Sequence, residues 1–242
     1  MNLAIVVAAK NLSAVVRHIK KSRYNPPMDL SKADMTILAP QLRKPEGELG
    51  RVLGEFMSKN NGEAIAFTLD RLGVEPRDHV LEVGFGPGEG IAQAVQLTPQ
   101  GFVAGIDYSE EMLIMAQERN HRALMEESAD VALGDAKELP YDDESFDKYF
   151  AVNVFHFWKD PTQELAECRR VLKPGGRAAF FMPYPSSWRP GLRETGVFVS
   201  REPEDVETCL RDAGFKNVHS KEITLSRDGE DFRGFVTVGE RA

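Results

Sequence analysis

The sequence predicts an α/β fold, a doubly wound and mostly parallel sheet with helices on both faces. Three observations predict it. The apolar run at 80–83 passes at once into a glycine cluster, and a helix-forming run follows at 91–95. Strand, glycine turn and helix in that order form the ligand-binding corner of an open parallel sheet. A second apolar run, 102–106, ends at Asp107, 25 residues after Glu82. That spacing fits one strand–helix–strand repeat. Near the end, the runs 218–225 and 232–238 are separated only by 226–231, short enough for an antiparallel hairpin.

Composition is that of an ordinary globular chain. Its 242 residues suffice for one α/β domain, with or without a small appendage. No apolar run approaches the roughly 20 residues of a membrane helix. Cys168 and Cys209 have no metal-site spacing, and each falls in a predicted helix on an apolar-leaning stripe. Buried free thiols and a reducing cytoplasm are expected. Net charge is −8, with nine Lys/Arg and four Asp/Glu (+5) in residues 1–54 and −13 in the remainder. An acidic body argues against nucleic acid as a partner.

Residues 1–40 read as an amino-terminal arm and 41–242 as the α/β domain. Residues 1–24 contain no acid, and their basic residues interleave with Leu12, Val15, Val16 and Ile19 on one helical face. Asn25-Pro26-Pro27 ends any helix there. Three readings stay open: a helix packed on its own domain or on a dimer partner, a basic helix lying on an anionic membrane, or an organelle-targeting segment. A secretory signal is not expected, since the apolar start lacks a preceding positive region. A turn-rich linker is expected at 41–47, and a helix at 63–72.

The stretch Glu82-Val83-Gly84-Phe85-Gly86-Pro87-Gly88 follows. A dinucleotide-binding turn wants Gly-x-Gly-x-x-Gly. Counted from Gly84 the sixth position is Glu89, and counted from Gly86 it is Ile91, so that pattern fails twice. An acidic residue on a strand followed by alternating glycines resembles the first motif of class I S-adenosylmethionine (SAM) dependent methyltransferases. The glycines would let a bound cofactor touch backbone that a Cβ would hold away. Pro87-Gly88 opens the next helix, whose free N–H groups suit the methionine carboxylate of SAM. Glu82 is a strand-end acid that would be costly to bury unpaired, and the cofactor's ammonium would relieve it.

The resemblance extends along the chain from about residue 40 to 225. Leu42-x-x-Pro45-x-Gly47, Gly50-Arg51 and Met57-x-x-x-Asn61 are similar to a segment of the ubiquinone and menaquinone biosynthesis type methyltransferases that lies across the cofactor mouth. Phe56 and Met57 could equally be plain core residues. Asp107, at the tip of strand two, would take the ribose hydroxyls, and Tyr108 would cover the adenine. Ser109 reads as an N-cap, with Glu110 and Glu111 suiting the helix dipole. After a third strand at 131–133, Gly134-Asp135-Ala136 and the acidic turn 142–147 look like the family's second motif. Asp135 would accept from the adenine amino group, and the Ala136 N–H would face a ring nitrogen. Phe85 and Asn153 complete the expected cofactor positions.

Strand four is expected at 149–152. Asp160 is read as a helix cap with Pro161 at the first position, and strand five is expected at 178–182 after Leu172-Lys173-Pro174-Gly175-Gly176. A last helix starts near 201 and stops at Gly214. In the family the hairpin closes one sheet edge, which implies strand order 3-2-1-4-5-7-6 with strand seven antiparallel.

Methyl transfer from a sulfonium is an in-line displacement, and alignment can supply roughly 7–11 kcal/mol of the barrier. No metal is needed, and the sequence offers no metal-ligand cluster. His156 is the candidate catalytic base, with a packed histidine as the alternative. Trp158, Tyr184 and Trp188 are candidates for the substrate wall. At most two of the aromatics around His156 can face the site. The expected activity is methyl transfer from SAM to a small-molecule acceptor. The competing class is a SAM- or nucleoside-binding partner protein on the same fold without catalysis.

Overall fold

The computed structural model describes residues 34–227 and 230–242. The expectations for residues 1–24 lie outside them. Seven strands form one sheet: β1 (His79–Val83), β2 (Phe102–Asp107), β3 (Ala129–Leu133), β4 (Phe146–Val152), β5 (Leu172–Pro183), β6 (Phe215–Arg227) and β7 (Glu230–Arg241). Their order is β3-β2-β1-β4-β5-β7-β6. β1 to β5 pair in parallel, while β7 runs antiparallel to both β5 and β6. Order and direction are those implied by the resemblance.

Alternation along the strands builds two cores. Leu81, Tyr149, Ala178 and Phe180 point to one face, where they meet Cys168 of α6 (Thr162–Val171) and Val206 and Leu210 of α7 (Pro203–Asp212). Val80, Phe150, Ala179 and Phe181 point to the other. There they meet α3 (Gly62–Leu72), α4 (Glu89–Leu97) and α5 (Glu110–Met125). Helices on both faces explain why the parallel strands read as nearly unbroken apolar runs.

Before the sheet lie α1 (Met35–Arg43) and α2 (Gly47–Asn60). The linker expected at 41–47 is therefore partly helix, and α1 runs across residues 40 and 41. Glycines at 50 and 54 look like helix breakers in sequence, yet both stand within α2. A Cβ at Gly50 would strike Pro45, and one at Gly54 would strike Met112 and Met115. Gly50 makes room for Pro45, and Gly54 for close packing onto α5. Leu38 and Leu53, fully or nearly buried, join α1 to α2.

Several boundaries move, and two of the shifts have a local cause. α6 begins at Thr162, one residue later than expected, because Pro161 (φ −82°, ψ 9°) stands outside helical geometry. Asp160 still caps by accepting from the Thr162 N–H at 3.1 Å and its hydroxyl at 2.6 Å. β5 begins at Leu172, which pairs with Phe146; the register then jumps to Lys148 with Arg177. The Lys173–Gly176 segment is thus a bulge within the strand rather than a loop before it.

Candidate functional site

Strand order reverses between β1 and β4, the switch point at which open α/β sheets bind ligands. A cavity of about 230 Å³ opens there. Its floor is the glycine bend after β1, where Gly84, Gly86 and Gly88 all have positive φ (+73°, +53° and +81°). A Cβ at Gly84 would run into Val154, and one at Gly88 into Ala116 and Asn120, whereas one at Gly86 would meet nothing within 4 Å. Only Gly86 therefore leaves backbone bare for a ligand. The other two make room for protein, which corrects the simpler sequence reading. Phe85 borders the cavity, but its side chain is buried in the core.

Asp107 ends β2 and is 7% exposed. One carboxylate oxygen accepts the Gly86 N–H at 2.9 Å, and the other accepts the Ser109 N–H at 2.9 Å. Burial raises its pKa to about 6 against the pull of those donors. Glu82 is 2% exposed, and its carboxylate lies against Gly90 in the first turn of α4. Its Oε2 has no partner among the described residues. Burial, with Asp107 and Glu89 nearby, holds its pKa well above the usual carboxylate range. Asn153, at φ +60°, donates to Asn61 Oδ1 at 3.3 Å, and its own buried Oδ1 has no partner among the described residues.

The residues after Asp107 strap α1 over this corner. The Tyr108 hydroxyl donates to the Arg43 carbonyl at 2.5 Å. Ser109 Oγ donates to the Pro45 carbonyl at 2.5 Å while accepting the Met112 N–H at 3.2 Å as the N-cap of α5. Leu42, Phe56, Met57 and Asn61 line the cavity, as does Leu38, which sequence patterns did not single out. Asp135 and Ala136 do not line it. Asp135 is exposed and accepts the Lys137 N–H at 3.0 Å, while Ala136 is buried in the core.

The opposite wall is aromatic. After β4 a 3₁₀ turn spans Phe155–Phe157. Residues three apart eclipse in such a turn. Phe155 and Trp158 accordingly both face the core, 5.2 Å apart and close to Phe180. His156 and Phe157 face the cavity. Trp158 is thus removed from the substrate wall. Tyr184 is removed too: its hydroxyl donates to Glu222 at 2.5 Å, its ring lies under Arg233, and it ties β5 to the hairpin. Trp188 does line the cavity. So does Phe198, which carries no periodic signal in sequence and stacks on His156 at 4.9 Å.

His156 is 4% exposed. Burial, and next the Arg201 guanidinium, push its pKa down to about 3. Arg201 itself holds the turn from below by donating to the carbonyls of Phe155, Trp158 and Lys159 at 3.2, 2.7 and 3.1 Å.

The family model described as a methyltransferase domain matches residues 81–180, the stretch from β1 to β5 that carries the bend. An uncharacterized methyltransferase of Bacillus subtilis, YdaC, is 33% identical over 131 residues, covering 54% of this chain and 70% of that one. The chain belongs to this methyltransferase family.

A second relative, the 27-O-demethylrifamycin SV methyltransferase of Amycolatopsis mediterranei, is 30% identical over 61% of this chain and 57% of its own length. Among solved structures, a SAM-dependent methyltransferase from Aquifex aeolicus shares the fold at TM-score 0.59 and 21% identity, covering 87% of this chain and all of that one. The family transfers methyl groups from SAM, and this methyltransferase has chemistry at hand to hold it. Gly86 offers bare backbone, Asp107 offers acceptor oxygens to hydroxyls, and Glu82 Oε2 and Asn153 Oδ1 are buried acceptors lacking donors. An ammonium group supplies such donors.

Proposed function

We propose that this methyltransferase holds SAM over the glycine bend and a small acceptor against the aromatic wall. One observation carries the reading: Glu82, Gly86, Asp107 and Asn153 line the same cavity as His156, Phe157 and Trp188. When bound, SAM supplies an electrophilic methyl carbon on a sulfonium. The protein's part is placement and exclusion of water. Asp107 takes the ribose hydroxyls, Glu82 and Asn153 the ammonium, and the free N–H groups of α4 the carboxylate. Tyr108 closes the adenine end.

His156 and Trp188 hold the acceptor. The nucleophile's lone pair forms the new bond to carbon as the carbon–sulfur bond breaks, and the nucleophile then loses its proton. A histidine this reluctant to protonate suits hydrogen bonding to the acceptor better than removing its proton beforehand. A small-molecule acceptor is in keeping with relatives named for such substrates, among them a demethylmenaquinone methyltransferase of Symbiobacterium thermophilum, 36% identical over 103 residues. Two unpaired cysteines, Cys168 and Cys209, support a reducing, cytoplasmic setting.

Incubation with methyl-labelled SAM and a panel of small hydroxylated, amino and thiol acceptors tests this. Label in an acceptor is the expected result. SAM binding with no transfer to any acceptor would favour the non-catalytic binding protein.

A further inference from the structure

We infer that the acceptor half of the cavity is built for a planar aromatic ring carrying a hydroxyl, its oxygen held between the Trp188 indole N–H and the His156 imidazole. Which half takes the acceptor is taken from the methyl-transfer reading above. Trp188 Nε1 and His156 Nδ1 are both buried and both lack a hydrogen-bond partner among the described residues. Both side chains line the same cavity, with ring centres 5.9 Å apart. Two orphaned nitrogens on neighbouring rings are costly unless a ligand satisfies them.

Their chemistry selects the ligand. The indole N–H can only donate, and His156 Nδ1 accepts in the neutral tautomer that carries its proton on Nε2. A hydroxyl oxygen accepts from the first and donates to the second. A hydrocarbon satisfies neither, and an ammonium group, having no acceptor, leaves the indole unpaired.

Charge points the same way. The carboxylates that line the cavity, Glu82, Glu89 and Asp107, belong to the glycine-bend side. The Arg193 guanidinium lies 5.9 Å from the centre of the Trp188 ring, so a cation already occupies that neighbourhood. Arg201, beneath the 3₁₀ turn, further lowers the proton affinity of His156. This wall is set for a neutral or electron-rich ring rather than a methylammonium group. Its flat faces come from Phe198, which stacks on His156 at 23° and stands 5.5 Å from Trp188, and from Phe157.

Titration calorimetry with 2-naphthol, naphthalene and 2-naphthylmethylammonium, with and without S-adenosylhomocysteine (SAH), tests the assignment. In the wild type 2-naphthol should bind at least tenfold more tightly than the other two. Trp188→Phe keeps the ring but removes the N–H, and should cut that preference below threefold. His156→Phe should do the same, and carries the test if Trp188→Phe does not fold. SAH titration of each variant reports its folding. Equal affinity for the three probes, preference for the ammonium, no binding of any of them, or a preference untouched by both substitutions would overturn the inference. A preserved naphthol preference in a wild type that does not bind SAH would instead overturn the methyl-transfer reading and leave the ring site standing.

Discussion

The carboxylate of Asp107 accepts the backbone N–H of Gly86 at 2.9 Å. The tip of β2 is thereby fastened to the one position in the glycine bend where a Cβ would meet open space. The group expected to hold ribose and the backbone expected to touch the cofactor move as one unit.

Asp107 makes cofactor affinity depend on pH. Its folded pKa is about 6 against an ordinary 3.8. The empty protein is thus stabilised by the protonated form, and loses that contribution as pH rises through about 6. Hydroxyl donors of a ligand favour the ionised form, so affinity should rise over the same range. About a tenth of the sites are ionised at pH 5, so SAH should bind roughly tenfold more weakly there than at pH 7. Calorimetry across pH checks this, and Asp107→Asn should abolish most of the binding together with that pH dependence.

His156 acts on stability with the opposite sign. Its pKa is depressed from 6.5 to about 3. Its contribution is present above about pH 6.5 and is lost as pH falls towards 3. Between pH 8 and pH 5 the wild type should lose about 2 kcal/mol on this account. His156→Phe should not. Denaturant unfolding of both proteins at the two pH values measures the difference.

The three glycines of the bend should fail in different ways. Gly86→Ala adds a Cβ in open space at φ +53°, a backbone cost of roughly 1–2 kcal/mol. It should fold and lose SAH affinity at least tenfold. Gly84→Ala drives a Cβ into Val154 and should lower the melting temperature more than Gly86→Ala does. Paired melting and binding curves separate the two.

Ser109→Ala removes an N-cap bond and the strap to Pro45 together. Each is worth about 1 kcal/mol, so the melting temperature should fall by roughly 4–8 °C. SAH affinity should fall as well, because Arg43 and Pro45 line the cavity. A substitution on the far side of α5 would give the first effect without the second.

Most residues expected at the donor end do line one cavity, though Asp135 and Ala136 do not, and that much was legible because it is local. Glu82, the bend and Asp107 lie at the ends of consecutive strands, and the motif fixes their order. The acceptor half was not. Trp158 and Tyr184 were sound aromatic candidates by position, yet a 3₁₀ turn rotates one into the core and Glu222 with Arg233 captures the other. Phe198 reaches His156 from a segment 42 residues downstream, and no periodicity announces it. α2 was not expected from the sequence; Gly50 and Gly54 disfavour a helix interior, and only the structure shows Pro45 and the methionines of α5 packed against them.

The most direct measurement is a crystal structure of the protein grown with SAH. The ribose hydroxyls should lie within hydrogen-bonding distance of Asp107, the backbone of Gly86 should touch the ligand, and the ammonium should reach Glu82 or Asn153. SAH bound away from the bend, or in the cavity with Asp107 and Glu82 both untouched, would contradict the account.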